Sequence, residues 1–227
     1  MAYENLDVLL PRLLKGGPSG PIRFFVDTCF VLNGAAFATL DEKFFATLRA
    51  NHTPLVLPLA VLREIQKHER DPVDLDLAKR AKFALVRFAE LEQDKAVRIV
   101  GSTDAPFADQ TFLEVFTKFR PKYTLLLFTQ DSGLTRDLLQ INDHESTNRT
   151  RNKIFVARHV SKQGIIVFND REQFVQRFSR KQPPRQASSQ AAPNKAKLPA
   201  AAFRFRICTA PRAADDHILG EIGRAHV

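Results

Sequence analysis

Residues 124–139, TLLLFTQDSGLTRDLL, change from a continuous apolar run to a helical pattern within a few positions. The first five residues have the length and composition of a strand that is buried on both faces. Leu134, Leu138 and Leu139 then recur at the spacing of an α-helix. Asp131 lies where the strand would end and the helix would begin. The stretch therefore predicts a strand–turn–helix unit with a carboxylate at the turn.

Four further apolar runs resemble this buried strand, and they are residues 22–27, 55–57, 97–100 and 164–168. Segments with one apolar face at helical spacing lie between the runs, at residues 41–50, 74–93 and 109–119. Apolar strands that alternate with helices form parallel sheets covered on both faces. The sequence therefore predicts an α/β fold, a three-layer α/β/α sandwich with a central, mostly parallel five-stranded sheet. The run IFVARHV at 154–160 fits either an edge strand or a loop excursion, and its place is left open.

The composition divides the chain into segments. Residues 1–20 are predicted to form an N-terminal helix and linker, and residues 21–176 the α/β domain. Residues 177–202 are rich in Pro, Ala, Ser and Gln, which predicts a disordered basic linker. Residues 203–220 regain a strand-like alternation in FRFRI and predict the start of a second element or a tail. The last segment, EIGRAHV at 221–227, resembles the in-frame translation of a sequencing-library adapter.

The charge of the chain favours a polyanionic partner. There are 34 Lys and Arg against 25 Asp and Glu, a formal net charge of +9, and the C-terminal tail carries most of the excess. The two cysteines, Cys29 and Cys208, provide neither a disulfide framework nor a metal-binding pattern, so a reduced, cytoplasmic setting is expected. No stretch approaches the ~18 consecutive apolar residues of a membrane helix, so no membrane association is expected.

Acidic residues stand at the predicted strand ends. Asp27 ends the first apolar run, Asp131 follows the fourth, and Asp109 begins the helix after the third. Glu64 lies at the edge of the apolar face of a helix that starts near Pro58. In an open parallel sheet, ligands bind outside the carboxyl ends of the strands. An aspartate at a helix start is often only a cap, and a helical glutamate is often a solvated surface acid.

The conjunction of these acids favours a metal site. Four carboxylates at one edge of a sheet would repel one another unless a cation neutralised them. Hard carboxylate oxygens around an open position suit Mg²⁺ or Mn²⁺. Such a cluster supports metal-assisted hydrolysis of phosphodiester bonds.

Four motifs, VDTCFVL, LPLAVLREI, ADQTFL and LLFTQDSGL, occur in the order and with the spacing seen in PIN-domain ribonucleases. The resemblance covers residues 22–170 and is to the larger PIN domains, not to the minimal toxins. It implies a PIN-like fold and a carboxylate site for Mg²⁺ or Mn²⁺. The implied metal-binding and catalytic residues are Asp27, Glu64, Asp109 and Asp131, with Thr28 and Thr129 in support.

The sequence departs from the small toxin-type PIN domains at one position. Many of those proteins carry a further acid two residues after the fourth, where this chain has Gly133. Asp137 is the nearest substitute, but its spacing from Asp131 favours a helix-surface acid. Asp104 is an alternative to Asp109 as the third metal-binding acid. It is the less favoured of the two, because it lies in a turn-like segment.

The function implied by the resemblance is a metal-dependent endoribonuclease acting on single-stranded or structured RNA. Basic residues in this part of the chain could contact the phosphate backbone of RNA, but they are explained equally well as a solvated basic surface. They are Arg136, Arg149, Arg151, Lys153 and Arg158. The alternative is a catalytically weak PIN-like module that binds RNA or a protein. A phosphotransfer domain of the haloacid dehalogenase type would need a second acid where Cys29 stands. A homodimer and a protein partner such as an antitoxin are left open.

Overall fold

The computed structural model describes residues 4–15, 20–101, 108–143 and 151–179. Contacts divide the chain into two units, residues 1–178 and residues 179–227. The architecture below is that of the first unit. The expected second element at 203–220, the adapter-like end at 221–227 and the linker from residue 180 onward lie outside the described residues.

A seven-stranded sheet forms the centre of the described structure, and its strand order is β1-β7-β6-β5-β2-β3-β4. The strands in chain order are β1 Glu4–Asn5, β2 Ile22–Val26, β3 Leu55–Pro58, β4 Val97–Val100, β5 Thr124–Phe128, β6 Ile154–Val160 and β7 Gly164–Phe168. The pairs from β6 through β5, β2 and β3 to β4 are all parallel. This confirms the predicted α/β fold with a mostly parallel central sheet.

The strand β6 is where the sheet differs from the prediction. Its sequence, IFVARHV, pairs with β5 in parallel on one side and with β7 antiparallel on the other. The run 164–168 is therefore antiparallel, whereas it was expected to be one of the parallel strands. The physical reason is the connection at 161–163, which is long enough for a hairpin but far too short for the crossover that parallel strands need. With the short β1, the described residues form a sheet of seven strands, not five.

Helices cover the sheet and connect its parallel strands. Their bounds are α1 Leu6–Leu14, α2 Thr28–Leu32, α3 Gly34–Phe37, α4 Glu42–Ala50, α5 Leu59–Glu69, α6 Leu75–Gln93, α7 Ala108–Phe119, α8 Ser132–Ile141 and α9 Arg171–Ser179. Among the described residues, no helix is long and apolar enough to span a membrane.

Phenylalanine side chains fill the core on both faces of the sheet. Phe24 and Phe25 are adjacent on β2, so their side chains point to opposite faces. The Phe24 ring lies 6.2 Å from that of Phe44 on α4. The Phe25 ring lies 5.1 Å from Phe116 and 6.5 Å from Phe112, both on α7. Helices therefore pack on both faces of the sheet. Because β2 pairs in parallel with β5, the carboxyl ends of these two strands lie side by side.

Candidate functional site

Asp27 is the first residue after β2 and the cap of α2, and its side chain is 4% exposed. Its Oδ1 accepts a hydrogen bond from the backbone N–H of Thr28 at 2.7 Å. Its Oδ2 accepts from the Thr129 hydroxyl at 2.8 Å and from the Cys29 thiol at 2.7 Å. Burial raises the pKa of Asp27, these three hydrogen bonds oppose the rise, and the charge of Asp109 adds to it.

Thr129 joins the ends of the two central strands. It is the first residue after β5, its side chain is fully buried, and its hydroxyl donates to Asp27 while accepting from the backbone N–H of Asp131 at 3.0 Å. Its own N–H donates to the carbonyl of Ala157 on β6 at 3.1 Å. The hydroxyl therefore holds the turn after β5 against the carboxylate after β2.

Asp131 caps α8, and its Oδ1 accepts from the backbone N–H of Leu134 at 2.7 Å. The side chain is exposed, and its Oδ2 receives no hydrogen bond from any described residue. A Cβ atom at Gly133 would lie only 3.1 Å from Asp131 Oδ1. A side chain at Gly133 would therefore crowd the carboxylate, which gives a physical reason for glycine where the toxin-type pattern has an acid. The cap leaves one carboxylate oxygen open.

Glu64 reaches the same edge from α5, which begins directly after β3. Its side chain is exposed, and its Oε2 accepts from the Thr28 hydroxyl at 2.7 Å. Thr28 thus contacts Asp27 through its backbone and Glu64 through its side chain. The two threonines expected in support, Thr28 and Thr129, both bridge elements at this edge.

Asp109 lies in the first turn of α7 and is exposed. Partial desolvation raises its pKa, and the charges of Asp131, Glu64 and Asp137 raise it further. Asp109 therefore lies within electrostatic reach of each of the other three expected acids. We call Asp27, Glu64, Asp109 and Asp131 the carboxylate rim.

Asp137 and Asp104 are the acids whose participation the sequence left open. Asp137 is exposed on α8, as a helix-surface acid would be, but its charge also acts on Asp109. It therefore lies at the margin of the carboxylate rim. Asp104 lies outside the described residues.

Cys29 is a site residue that sequence reasoning missed. Its thiol donates to Asp27, lies 3.2 Å from the Thr129 hydroxyl and accepts from the backbone N–H of Gln130 at 3.1 Å. Burial, together with the charge of Asp27, raises the pKa of this thiol to about 12, so the thiol stays protonated at neutral pH. The available signal was its position, two residues after Asp27 in the same helical turn.

Arg158 corrects the expectation that it lines an approach for RNA. Its side chain is 7% exposed, and its guanidinium donates to the backbone carbonyls of Gln130 at 2.6 Å and of Asp131 at 2.9 Å. The Arg158 guanidinium therefore points into the protein, where it binds the turn that carries Asp131. The sequence signal was a lone arginine inside an otherwise apolar strand.

The other expected RNA contacts are divided between the two ends of the sheet. Arg136 is exposed on the first half of α8, the helix that Asp131 caps. Arg151 and Lys153 are exposed but precede β6, at the amino end of the parallel strands. The carboxylate rim lies at the opposite end, ~17 Å away along a five-residue strand such as β5. Arg149 lies outside the described residues.

The donor chemistry of the carboxylate rim fits a hard cation. No described residue donates a hydrogen bond to the Asp109 carboxylate or to Glu64 Oε1, and no described Lys or Arg forms an ion pair with a rim acid. Within the described ranges, however, no three acidic, histidine or cysteine side chains are already gathered closely enough to hold an ion. Asp109, Glu64 and Asp131 are exposed and would have to turn inward to share one.

Similarity to known proteins is found among solved structures. No protein-family model matches the sequence, and no curated protein matches it. The chain is similar to the structure of the PIN domain endonuclease Utp24, with 16% sequence identity and a TM-score of 0.43. The match covers 67% of this chain and 94% of that chain.

Proposed function

We propose that this protein is a PIN-type, metal-dependent endoribonuclease that hydrolyses phosphodiester bonds of single-stranded or structured RNA at the carboxylate rim. The observation that carries the proposal is that the four rim acids stand at one edge of the sheet, while no described Lys or Arg forms an ion pair with any of them. Burial is the largest cause of the raised pKa values of Asp27 and Asp109. The charges of Asp131 and Glu64 add to the rise at Asp109, and the charge of Asp109 adds to the rise at Asp27. Structural ion-pair networks place acids beside bases, whereas acids that perturb one another in this way are typical of functional sites.

The rim acids divide into one fixed and three adjustable carboxylates. Asp27 is buried and held by three hydrogen bonds, so its orientation is set before any ligand arrives. Asp109, Glu64 and Asp131 are exposed and keep oxygen atoms that no described residue engages. These four side chains would hold the cation. The chemistry that a bound Mg²⁺ or Mn²⁺ would supply there is a water of lowered pKa as the nucleophile and stabilisation of the leaving oxygen.

Contact with the RNA backbone is proposed for Arg136. Its side chain is exposed on α8, and its Nε donates to the carbonyl of Ser132 at 3.2 Å, which keeps the guanidinium on the first turns of that helix. A cation beside the rim would favour the phosphate that is to be cleaved. Arg151 and Lys153 would serve at most as distant contacts for a longer RNA, because they precede β6.

The test is RNA cleavage by the full chain with Mg²⁺ or Mn²⁺, with EDTA as the metal-free condition. We expect Asp131→Asn and Asp27→Asn each to lower the cleavage rate by at least about 100-fold, which corresponds to ~2.7 kcal/mol in the barrier. Asp76→Asn on α6 is the matched control, because Asp76 is an exposed acid whose only described ion pair is with Lys79. It should cleave like the wild type.

Cleavage that survives both rim substitutions and EDTA would contradict the proposal. Full RNA binding without turnover, and without Mn²⁺ binding, would instead support the catalytically weak binding module. Circular dichroism of each variant shows whether the fold is intact.

A further inference from the structure

Arg158 on β6 binds the turn between β5 and α8 from inside the protein. Its Nη2 donates to the carbonyl of Gln130 at 2.6 Å. Its Nη1 donates to the carbonyl of Asp131 at 2.9 Å and to the hydroxyl of Thr135 at 3.1 Å. Three hydrogen bonds thus hold two consecutive residues of the turn and the first turn of α8. One of the two residues is a member of the carboxylate rim.

The same guanidinium is covered by α9. It lies 5.3 Å from the ring centre of Phe174 and 5.1 Å from that of Phe178. Phe168, at the end of β7, packs against both rings at 5.6 and 6.0 Å. Arginine over aromatic rings is a favourable arrangement, and it is stronger where water is excluded. The position of Arg158 therefore depends on an element well outside the strands that carry the rim.

We infer that Arg158 is a positioning residue for the carboxylate rim, and that α9 holds it in place through Phe174 and Phe178. The inference rests on the proposed function. Asp131 uses Oδ1 to cap α8, so the direction of its free Oδ2 follows from the backbone that Arg158 holds. The planar fork of a guanidinium can bind two adjacent carbonyls at once, which a lysine ammonium cannot do in the same geometry.

Arg120 offers a matched control at the far end of α8. It is fully buried, and its guanidinium donates to the carbonyl of Ile141 and, at 3.3 Å, to that of Asn152. It is therefore also a buried arginine that binds backbone carbonyls. The ten residues of α8 place its site ~15 Å from the turn at Asp131. A general loss of stability would follow from changing either arginine, whereas a loss of rim geometry would follow from changing Arg158 alone.

The experiment measures Mn²⁺ binding by electron paramagnetic resonance on the full chain, without RNA, for wild type, Arg158→Lys and Arg120→Lys. Thermal unfolding in EDTA is measured for the same three proteins. We expect both lysine variants to unfold at lower temperature. Only Arg158→Lys is expected to weaken Mn²⁺ binding, by about tenfold or more, as found for residues that orient metal ligands.

The outcomes separate the inference from the proposed function. Wild-type protein that binds no Mn²⁺ overturns both. Wild-type binding that is equally strong in Arg158→Lys overturns the inference alone, as does an equal weakening in Arg120→Lys. If Arg158→Lys does not fold, Phe178→Leu takes its place, because it removes one ring from the guanidinium and keeps an apolar side chain. Unchanged Mn²⁺ binding in that variant would then overturn the inference.

Discussion

The two ends of the parallel strands differ in how their polar side chains are hydrogen-bonded. At the amino end, Asn142 donates to the carbonyls of Ile154 and Asn169 and accepts from the N–H of Ile154. Asn152 accepts from the N–H of Gly20 at 2.5 Å and donates to the carbonyl of Pro121 at 3.0 Å. These buried groups find their partners inside the protein, as buried polar groups generally do.

At the carboxyl end, the rim acids keep oxygen atoms that no described residue engages. Acids there face other acids, and the pKa values of Asp27 and Asp109 are raised as a result of burial and of that repulsion. The amino end therefore contributes stability, whereas the carboxyl end carries the acids that are proposed to bind a cation. Substitutions at the two ends should therefore have different consequences.

Removing the guanidinium at the amino end should have the largest effect on stability. Arg120→Met removes a fully buried guanidinium and its hydrogen bonds to the carbonyls of Ile141, Asn142 and Asn152. We expect the free energy of unfolding to fall by about 3–5 kcal/mol, because each hydrogen bond to a charged group contributes ~1.5–3 kcal/mol. Urea unfolding followed by circular dichroism measures this. A loss below about 1 kcal/mol would contradict the comparison between the two ends, since the amino end would then contribute little to stability.

A side chain at Gly20 should be the next most damaging change. A Cβ atom there would lie 2.3 Å from the carbonyl oxygen of Lys122, so the backbone would have to move. We expect Gly20→Ala to lower the free energy of unfolding by about 2–3 kcal/mol. Gly34→Ala is the control, because its Cβ would meet nothing nearer than 3.8 Å. Equal unfolding curves for the two variants would contradict the expectation.

Two buried threonines in or next to β5 allow a hydrogen-bonded hydroxyl to be compared with one that has no described partner. Thr129→Val removes the hydroxyl that connects Asp27 with the Asp131 backbone, and we expect it to cost about 1–2 kcal/mol and to slow RNA cleavage. Thr124 is also buried, but its hydroxyl has no hydrogen-bond partner within the part of the chain that the structure describes. Thr124→Val should therefore leave stability unchanged or raise it. Thermal unfolding and cleavage assays distinguish the pair, and equal losses in both would show that the Thr129 bonds are unimportant.

The smallest predicted effect is an increase in Tm. In EDTA, Asp109→Asn should raise Tm by about 1–2 °C, because it removes like-charge repulsion that is worth less than about 1 kcal/mol between exposed groups. The folded-state pKa of Asp109 is raised, so its charged form costs stability above that pKa. The gain should be complete at neutral pH and vanish as the pH falls through the raised pKa to the ordinary aspartate range. A lower Tm at pH 7 would show that Asp109 is stabilised by its neighbours.

Much of the fold and of the carboxylate rim could be predicted, because both depend on local patterns. Strands such as β2 and β5 are continuous apolar runs, and the helix α6 shows its period in a single segment. Asp27 and Asp131 could be singled out because Asp27 directly follows β2 and Asp131 follows β5 by three residues, at the start of the next helix. The hairpin of β6 and β7 was not predicted, since an apolar run shows that a strand forms but not which strand it pairs with.

The sequence by itself determined the order of the elements and the acids at their ends, through periodicity and through position in the chain. Only the tertiary structure decided what those ends contact. The hydroxyl that holds Asp27 comes from Thr129, 102 positions away, and the guanidinium that binds the Asp131 carbonyl comes from Arg158, 27 positions away. The apolar neighbours of Arg158 in IFVARHV indicate a buried strand, but they do not show which groups its guanidinium binds. The role of Arg158 depends on partners that only folding brings near.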